Sequence, residues 1–318
     1  MNKNVTITNR THLWVITAGS TYLDIDAYAC IVALSELFRL RGEKVIAYSN
    51  APYNYSVCDF LICDGQIVNS LPCGFDENSA RYIIVDVSDP DFLKDSVPLH
   101  RITEVFDHHV GFEEYWQCRI GDGARIEFIG AAATLIYREW EKLNLQHRMS
   151  RSSALLLMAA ILDNTLNLTS SNTTKEDIDV YNKLCEKTGV GEEWRDKYFS
   201  EVQTNVEKDF KNALFNDLKR SCGIFALPTN IAQLCVWNSC GILERLPEIR
   251  GWFANSDFLL NIIDVKNNCS YFVCDDSYYQ KQLEKIFSVG FKDGVAKSDL
   301  PYLRKQIIKK CIEFNVSN

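Results

Sequence analysis

Short apolar runs that break off at an aspartate constrain this chain more than any other feature. Ile102-Thr103-Glu104-Val105-Phe106 is followed at once by Asp107-His108-His109. Tyr82-Ile83-Ile84-Val85 is followed by Asp86, and Leu13-Trp14-Val15-Ile16-Thr17 leads into a loop carrying Asp24 and Asp26. Runs this short and this rich in β-formers read as buried strands. Helical or connecting segments separate them, which predicts an α/β fold with a doubly wound, mainly parallel sheet. Such sheets bind ligands outside the carboxyl ends of their strands. The acidic and imidazole groups therefore stand where a ligand is expected. Plainer readings exist: a polar loop after a strand, or Asp24 and Asp26 beside the start of a helix from 27 to about 41 that Gly42 stops. Capping does not explain two carboxylates spaced Asp-x-Asp. Two adjacent histidines cannot both be buried cheaply, because each carries a donor and an acceptor.

The chain has 318 residues, enough for two domains of ordinary size. Its formal charge is −8, which argues against a broad nucleic-acid or membrane surface, since either needs a basic face. A small anionic substrate held by metals and a few cations stays compatible. Twelve cysteines are scattered without a CxxC pair. The beginning of the chain lacks the apolar stretch of a signal peptide, and no stretch approaches a transmembrane span. Reduced thiols in a cytoplasmic protein are the expectation.

In order, Lys44 to Tyr48 reads as a further strand. Gly130-Ala131-Ala132-Ala133-Thr134 opens a helix to about Leu143, and Ser153 to Leu162 forms a strongly apolar one that presents Asp163. An aspartate at a helix C-terminus is poorly placed for the dipole and needs a compensating cation. Thr173-Thr174-Lys175-Glu176 is a capping signal for a helix reaching Glu186. The charged stretch 187–200, with Gly189 and Gly191, marks a domain boundary, giving domains 1–190 and 195–318. The second is expected to be a smaller mixed α/β domain with a helix around Lys208 and strands near Ile224-Phe225-Ala226-Leu227, 232–236, 258–263 and 271–273. A helix is expected at 276–287.

Carboxylates converging this closely would repel one another unless divalent cations neutralised them. Oxygen-rich ligation with an imidazole suits Mg²⁺ or Mn²⁺. Zinc is disfavoured because no cysteine accompanies the ligand positions.

In this order, Asp24-Ile25-Asp26, Val85-Asp86 with Ser88-Asp89-Pro90, Phe106-Asp107-His108-His109, Gly130-Ala-Ala-Ala-Thr134 and Ile161-Leu162-Asp163 resemble the motifs of the DHH phosphoesterase superfamily. In the second half, Lys208-Asp209-Phe210-Lys211 and Arg304-Lys305-Gln306 resemble cationic motifs of family II inorganic pyrophosphatases, exopolyphosphatases and prune-type proteins. No Gly-Gly-Gly-His stretch marks the sister branch of oligonucleotide and cyclic-dinucleotide hydrolases.

The resemblance implies a site for two divalent metal ions, Mg²⁺ or Mn²⁺, in the cleft between a catalytic and a substrate-binding domain. Asp24 and Asp86 would hold one metal together with the position of Ser20, where pyrophosphatases have histidine. Asp26, Asp86, His108 and Asp163 would hold the other. Asp107 would orient the histidines and His109 would contact a phosphate or the leaving oxygen. Lys211, Arg304 and Lys305 would bind substrate. The implied activity is exopolyphosphatase-like, releasing phosphate from short inorganic polyphosphate by attack of a metal-bridged hydroxide. The alternatives are a manganese-dependent inorganic pyrophosphatase and, because Ser20 is a weak ligand, a degenerate phosphate-binding regulatory protein. The sequence does not indicate an oligomeric state.

Overall fold

A computed structural model describes residues 12–19, 21–76, 79–93, 97–216, 218–221, 223–254 and 256–316. The chain divides into two compact units. One comprises Met1–Leu168 and Asn172–Gly191, the other Thr169–Ser171 and Glu192–Asn318.

The first unit is built on a five-stranded sheet in the order β2-β1-β3-β4-β5, with every pairing parallel. Its strands are β1 (Leu13–Thr17), β2 (Lys44–Ala47), β3 (Ala80–Val85), β4 (Ile102–Asp107) and β5 (Ala124–Ile126). Its helices are α1 (Ile25–Leu40), α2 (Glu113–Ile120), α3 (Ala132–Lys142), α4 (Arg151–Asn164) and α5 (Lys175–Thr188). Alternation along the strands feeds both faces. Val15, Tyr82, Ile84 and Val105 pack with Trp116 of α2 on one side. On the other, α1 packs against α3 and α4. Both faces are covered, which is why the carboxyl-terminal halves of β3 and β4 are mostly apolar and buried. The chain runs from β1 to β2 on one side and then crosses to β3 on the other. The β1/β3 boundary is thus the topological switch point, where this strand order opens a crevice.

The second unit holds a five-stranded mixed sheet in the order β10-β9-β8-β7-β6, in which only β7 and β8 run parallel. Its strands are β6 (Lys219–Arg220), β7 (Asn230–Val236), β8 (Phe258–Asp264), β9 (Cys269–Val273) and β10 (Val295–Ser298). Helices α6 (Glu192–Lys208), α7 (Phe210–Asn216), α8 (Cys240–Glu244), α9 (Leu246–Trp252), α10 (Ser277–Phe287) and α11 (Arg304–Val316) complete it. Leu259, Phe272, Leu283 and Ile307 meet in its core.

Several local expectations need correction. Ile224-Phe225-Ala226-Leu227 is a turn, closed by Leu227 N–H donating to Ile224 O at 3.1 Å. The run is apolar because Ala226 and Leu227 insert into the core, not because they pair. The helix around Lys208 is two helices, α6 and α7, broken at Asp209. The cap of α5 is Thr174, one residue later than read, with Asp177 rather than Glu176 completing the capping box.

Candidate active site

The site forms at the switch point, and local chemistry places each group. The side chain of Asp24 caps α1, accepting from Ala27 N at 2.9 Å, so the capping role and a place beside the sheet edge coincide. Asp26 sits in the first turn of α1 and is fully buried. Its Oδ2 accepts from Ala132 N at 2.8 Å and Asn164 Nδ2 at 3.1 Å, and its Oδ1 from Ala133 N at 2.8 Å. The small residues that open α3 let its amides come that close to a carboxylate. Asp86 follows β3 in the left-handed region, φ 57°, which L-residues avoid and which turns its carboxylate in beside His108.

Asp107 is the last residue of β4 and is completely buried. Its Oδ1 gathers the backbone N–H of His108 at 2.8 Å, the backbone N–H of His109 at 3.1 Å and Nδ1 of His109 at 2.8 Å. Asp107 thus orients the His109 ring and both backbones, while the His108 ring is held elsewhere. His108 Nδ1 donates to Ile129 O at 3.2 Å, which fixes the tautomer and turns Nε2 inward. That Nε2 lies 3.4 Å from Asp86 Oδ1 and 3.9 Å from Asp26 Oδ2. Ligand atoms of Asp86, His108 and His109 all lie within 4.8 Å of one another. The His109 side chain remains 63% exposed.

Asp163 is half-buried on the last turn of α4, one residue before the Asn164 that donates to Asp26. Ser20 lies outside the described residues. Lys211, Arg304 and Lys305 belong to the second unit. Lys211 is exposed on α7 with its ammonium 5.7 Å from the Trp252 ring centre. Arg304 and Lys305 open α11, where Arg304 N donates to Gln233 Oε1 at 2.6 Å.

The electrostatics differ between the inner and outer sides of this arrangement. Burial, reinforced by the charge of Asp24, pushes the Asp26 carboxyl up to about 7, and the same two causes push Asp86 well above the usual carboxylate range. Asp86 Oδ1 is buried with no hydrogen-bond partner among the described residues. An inward imidazole lone pair faces that oxygen across 3.4 Å; once the carboxyl is ionised the two are facing acceptors, which repel unless a cation stands between them. A donor set of carboxylate oxygens and one imidazole fits Mg²⁺ or Mn²⁺. On the outer side the reverse holds. Burial would raise Asp107, but the hydrogen bond and charge of His109 hold it below the usual range. The same bond raises His109 above an ordinary histidine against the opposing effect of burial.

Sequence reading missed five contributors. Ile129 O and the Ala132 and Ala133 amides are backbone groups and leave no residue-type signal. Asn164 follows the expected Asp163 directly and was within reach. Cys30 corrects the statement that no cysteine accompanies the ligands: its Sγ donates to Asp26 Oδ1 at 3.5 Å, one helical turn along. Burial pushes the Cys30 thiol well above its ordinary value, so it is a neutral donor rather than a thiolate ligand.

No family model matches the chain. A protein of Streptococcus thermophilus named a probable manganese-dependent inorganic pyrophosphatase is 25% identical over 252 residues, covering 76% of each chain. One of the same name from Deinococcus radiodurans is 21% identical over 313 residues, covering 91% of this chain and 95% of that one. Among solved structures, one from Methanococcus jannaschii assigned to the family II inorganic pyrophosphatases superposes with a TM-score of 0.63 at 16% identity. It covers 94% of this chain and 98% of that one. An exopolyphosphatase-related protein from Bacteroides fragilis gives 0.52 at 12% identity, covering 97% and 92%. These likenesses agree with the resemblance to the DHH superfamily, and at these identities the solved structures speak for the fold.

Proposed function

We propose that this protein is a divalent-metal-dependent phosphoanhydride hydrolase that releases phosphate from short inorganic polyphosphate. The observation that carries the reading is the buried Asp86 Oδ1, without a hydrogen-bond partner among the described residues, facing His108 Nε2 at the switch point. The names of the relatives support the reaction class and the metal. They also favour a second substrate within that class, pyrophosphate itself.

In this reading Asp24 and Asp86 hold one metal, and Asp26, Asp86, His108 and Asp163 hold the other. When bound, the two metals would supply a nucleophile at neutral pH and neutralise phosphoryl oxygens. The chain does the rest. The α3 amides and Asn164 keep Asp26 pointed at the site. Ile129 O keeps the His108 lone pair inward. Asp107 keeps His109 charged to higher pH, so its exposed imidazole can donate a proton to the oxygen that leaves. We assign Lys211, Arg304 and Lys305 to substrate binding, on the resemblance of their motifs. Arginine can grip a phosphate bidentately, and lysine adds a point charge. The first domain (1–190) would be catalytic and the second (195–318) substrate-binding. Reduced thiols support a cytoplasmic setting, and no helix among the described residues is long and apolar enough to cross a membrane.

Phosphate release from tripolyphosphate and pyrophosphate, each with Mg²⁺ and with Mn²⁺, tests the reading. Turnover that needs the metal and disappears in Asp86→Ala supports it. Inactivity on both substrates with both metals would leave the regulatory alternative standing, the reading that Ser20 favours.

A further inference from the structure

We propose that Asp177, which the roles above do not use, is a positioning residue for this site. Clamping the start of α3, it sets the distance between the imidazole of His108 and the carboxylate of Asp26. The part that concerns metal rests on the metal-binding reading above. The part that concerns side-chain geometry does not.

Asp177 lies on α5 and is completely buried. Its local duty is the capping box, in which Oδ2 accepts from Thr174 N and Thr174 Oγ1, both at 2.7 Å. A cap needs no more than that. Oδ2 also accepts from Gly130 N at 2.9 Å, and Oδ1 accepts from Thr134 Oγ1 at 2.6 Å. One carboxylate therefore grips the segment 129–134 at two points, from a helix more than forty residues away in sequence.

Backbone groups beside and between those grips hold two side chains of the site. Ile129 O, just before Gly130, holds His108 Nδ1. Ala132 N and Ala133 N, just before Thr134, hold the two oxygens of Asp26. Both are groups assigned to the same metal, and both take their position from one short stretch of backbone, whose small buried side chains (Ala131, Ala132, Ala133) pack it while the Asp177 carboxylate supplies its polar anchors. Gly130 shows how tight the clamp is. A Cβ there would lie 2.6 Å from Asp177 Oδ2 and 2.6 Å from Thr165 Cγ2, so only glycine lets the carboxylate reach the backbone. Asn172 braces the same turn from its other side, donating to Gly130 O and to Asn164 O at 3.4 Å each. Groups that orient metal ligands from behind in this way typically change metal affinity by about 10–100-fold when removed.

The test compares Asp177→Ala, Asp177→Asn and Thr134→Val with wild type, and includes Leu184→Ala as a variant that weakens α5 at a buried apolar position without touching the clamp. Two quantities are read: the His108 tautomer in metal-free protein, from long-range ¹H–¹⁵N spectra, and Mn²⁺ affinity by titration calorimetry. We expect wild type and Leu184→Ala to keep the Nδ1–H tautomer. Asp177→Ala and Thr134→Val should show a mixed one. Mn²⁺ binding should weaken about 10–100-fold in Asp177→Ala, less in Thr134→Val, and not in Leu184→Ala. Asp177→Asn should recover most of the loss, because its carbonyl can still accept from Gly130 N while its amide donates to Thr134 Oγ1. An unchanged tautomer in both Asp177→Ala and Thr134→Val overturns the proposal, as does Leu184→Ala moving it equally. If wild type takes up no Mn²⁺, the metal-binding reading fails, and the tautomer comparison still decides the clamp.

Discussion

At the scale of single residues, the site stores unfavourable chemistry that a bound cation would relieve, and this makes its acidic members testable. Asp86 combines left-handed backbone with a buried carboxylate oxygen that has no hydrogen-bond partner among the described residues. Glycine removes both burdens, the backbone one being about 1–2 kcal/mol for an L-residue. Asp86→Gly should therefore raise the melting temperature of metal-free protein, roughly 2–4 °C per kcal/mol regained, while abolishing metal-induced stabilisation. A lower melting temperature would mean that Asp86 contributes to the fold rather than to a ligand site. Asp26 supplies a pH dependence. Its carboxyl is raised to about 7, so the folded metal-free protein favours the protonated form. The stability this contributes is complete below the unfolded value and is lost as pH rises through about 7. Metal binding runs the other way, because the ligand must be deprotonated. Mn²⁺ should raise the melting temperature more at pH 8 than at pH 6, with affinity falling roughly tenfold per unit below 7 from Asp26 alone. A shift equal at the two pH values would remove Asp26 from the ligand set.

At the scale of elements, the parts legible in sequence were those whose side chains advertise them. Central strands covered on both faces carry buried apolar residues into their carboxyl ends, so β1, β3 and β4 and the aspartates beyond them could be read directly. β5 is a three-residue edge strand carrying Arg125, too short to show a period. β6 is a two-residue edge pair. Ile224-Phe225-Ala226-Leu227 failed in the opposite sense, since burial alone does not distinguish a turn from a strand. The end of α4 held a feature that residue types do not show. Leu166, Asn167 and Leu168 are successively left-handed, with φ of 49°, 60° and 65°. The turn is held by Asn167 N donating to Leu162 O at 2.8 Å and Leu168 N donating to Thr165 Oγ1 at 3.0 Å. Asparagine tolerates this conformation and alanine does not. In chemical denaturation Asn167→Ala should cost about 1 kcal/mol, whereas Asn167→Gly should be neutral or stabilising. Equal losses in the two would place the role of Asn167 in its side chain.

At the scale of the whole molecule, cysteine chemistry follows burial across both units. The eleven cysteines among the described residues form no disulfide with one another. Cys63, Cys73, Cys118 and Cys240 are exposed, whereas burial pushes the thiols of Cys274 and Cys311 up to about 12 and Cys30 well above its ordinary value. Alkylation at neutral pH should label the first four in the folded protein and reach Cys30, Cys274 and Cys311 only on unfolding, as peptide mass mapping would show. Rapid labelling of Cys30 would mean that the site opens to reagent. The central claim is that the carboxylates and imidazole at the β1/β3 switch point are a metal site. Anomalous diffraction from crystals soaked in Mn²⁺ tests it most directly. The account predicts two peaks roughly 3.5–4 Å apart, both bound by Asp86 and one of them also by His108 and Asp26. Manganese bound elsewhere, with Asp86 and His108 still facing each other without an ion between them, would contradict it.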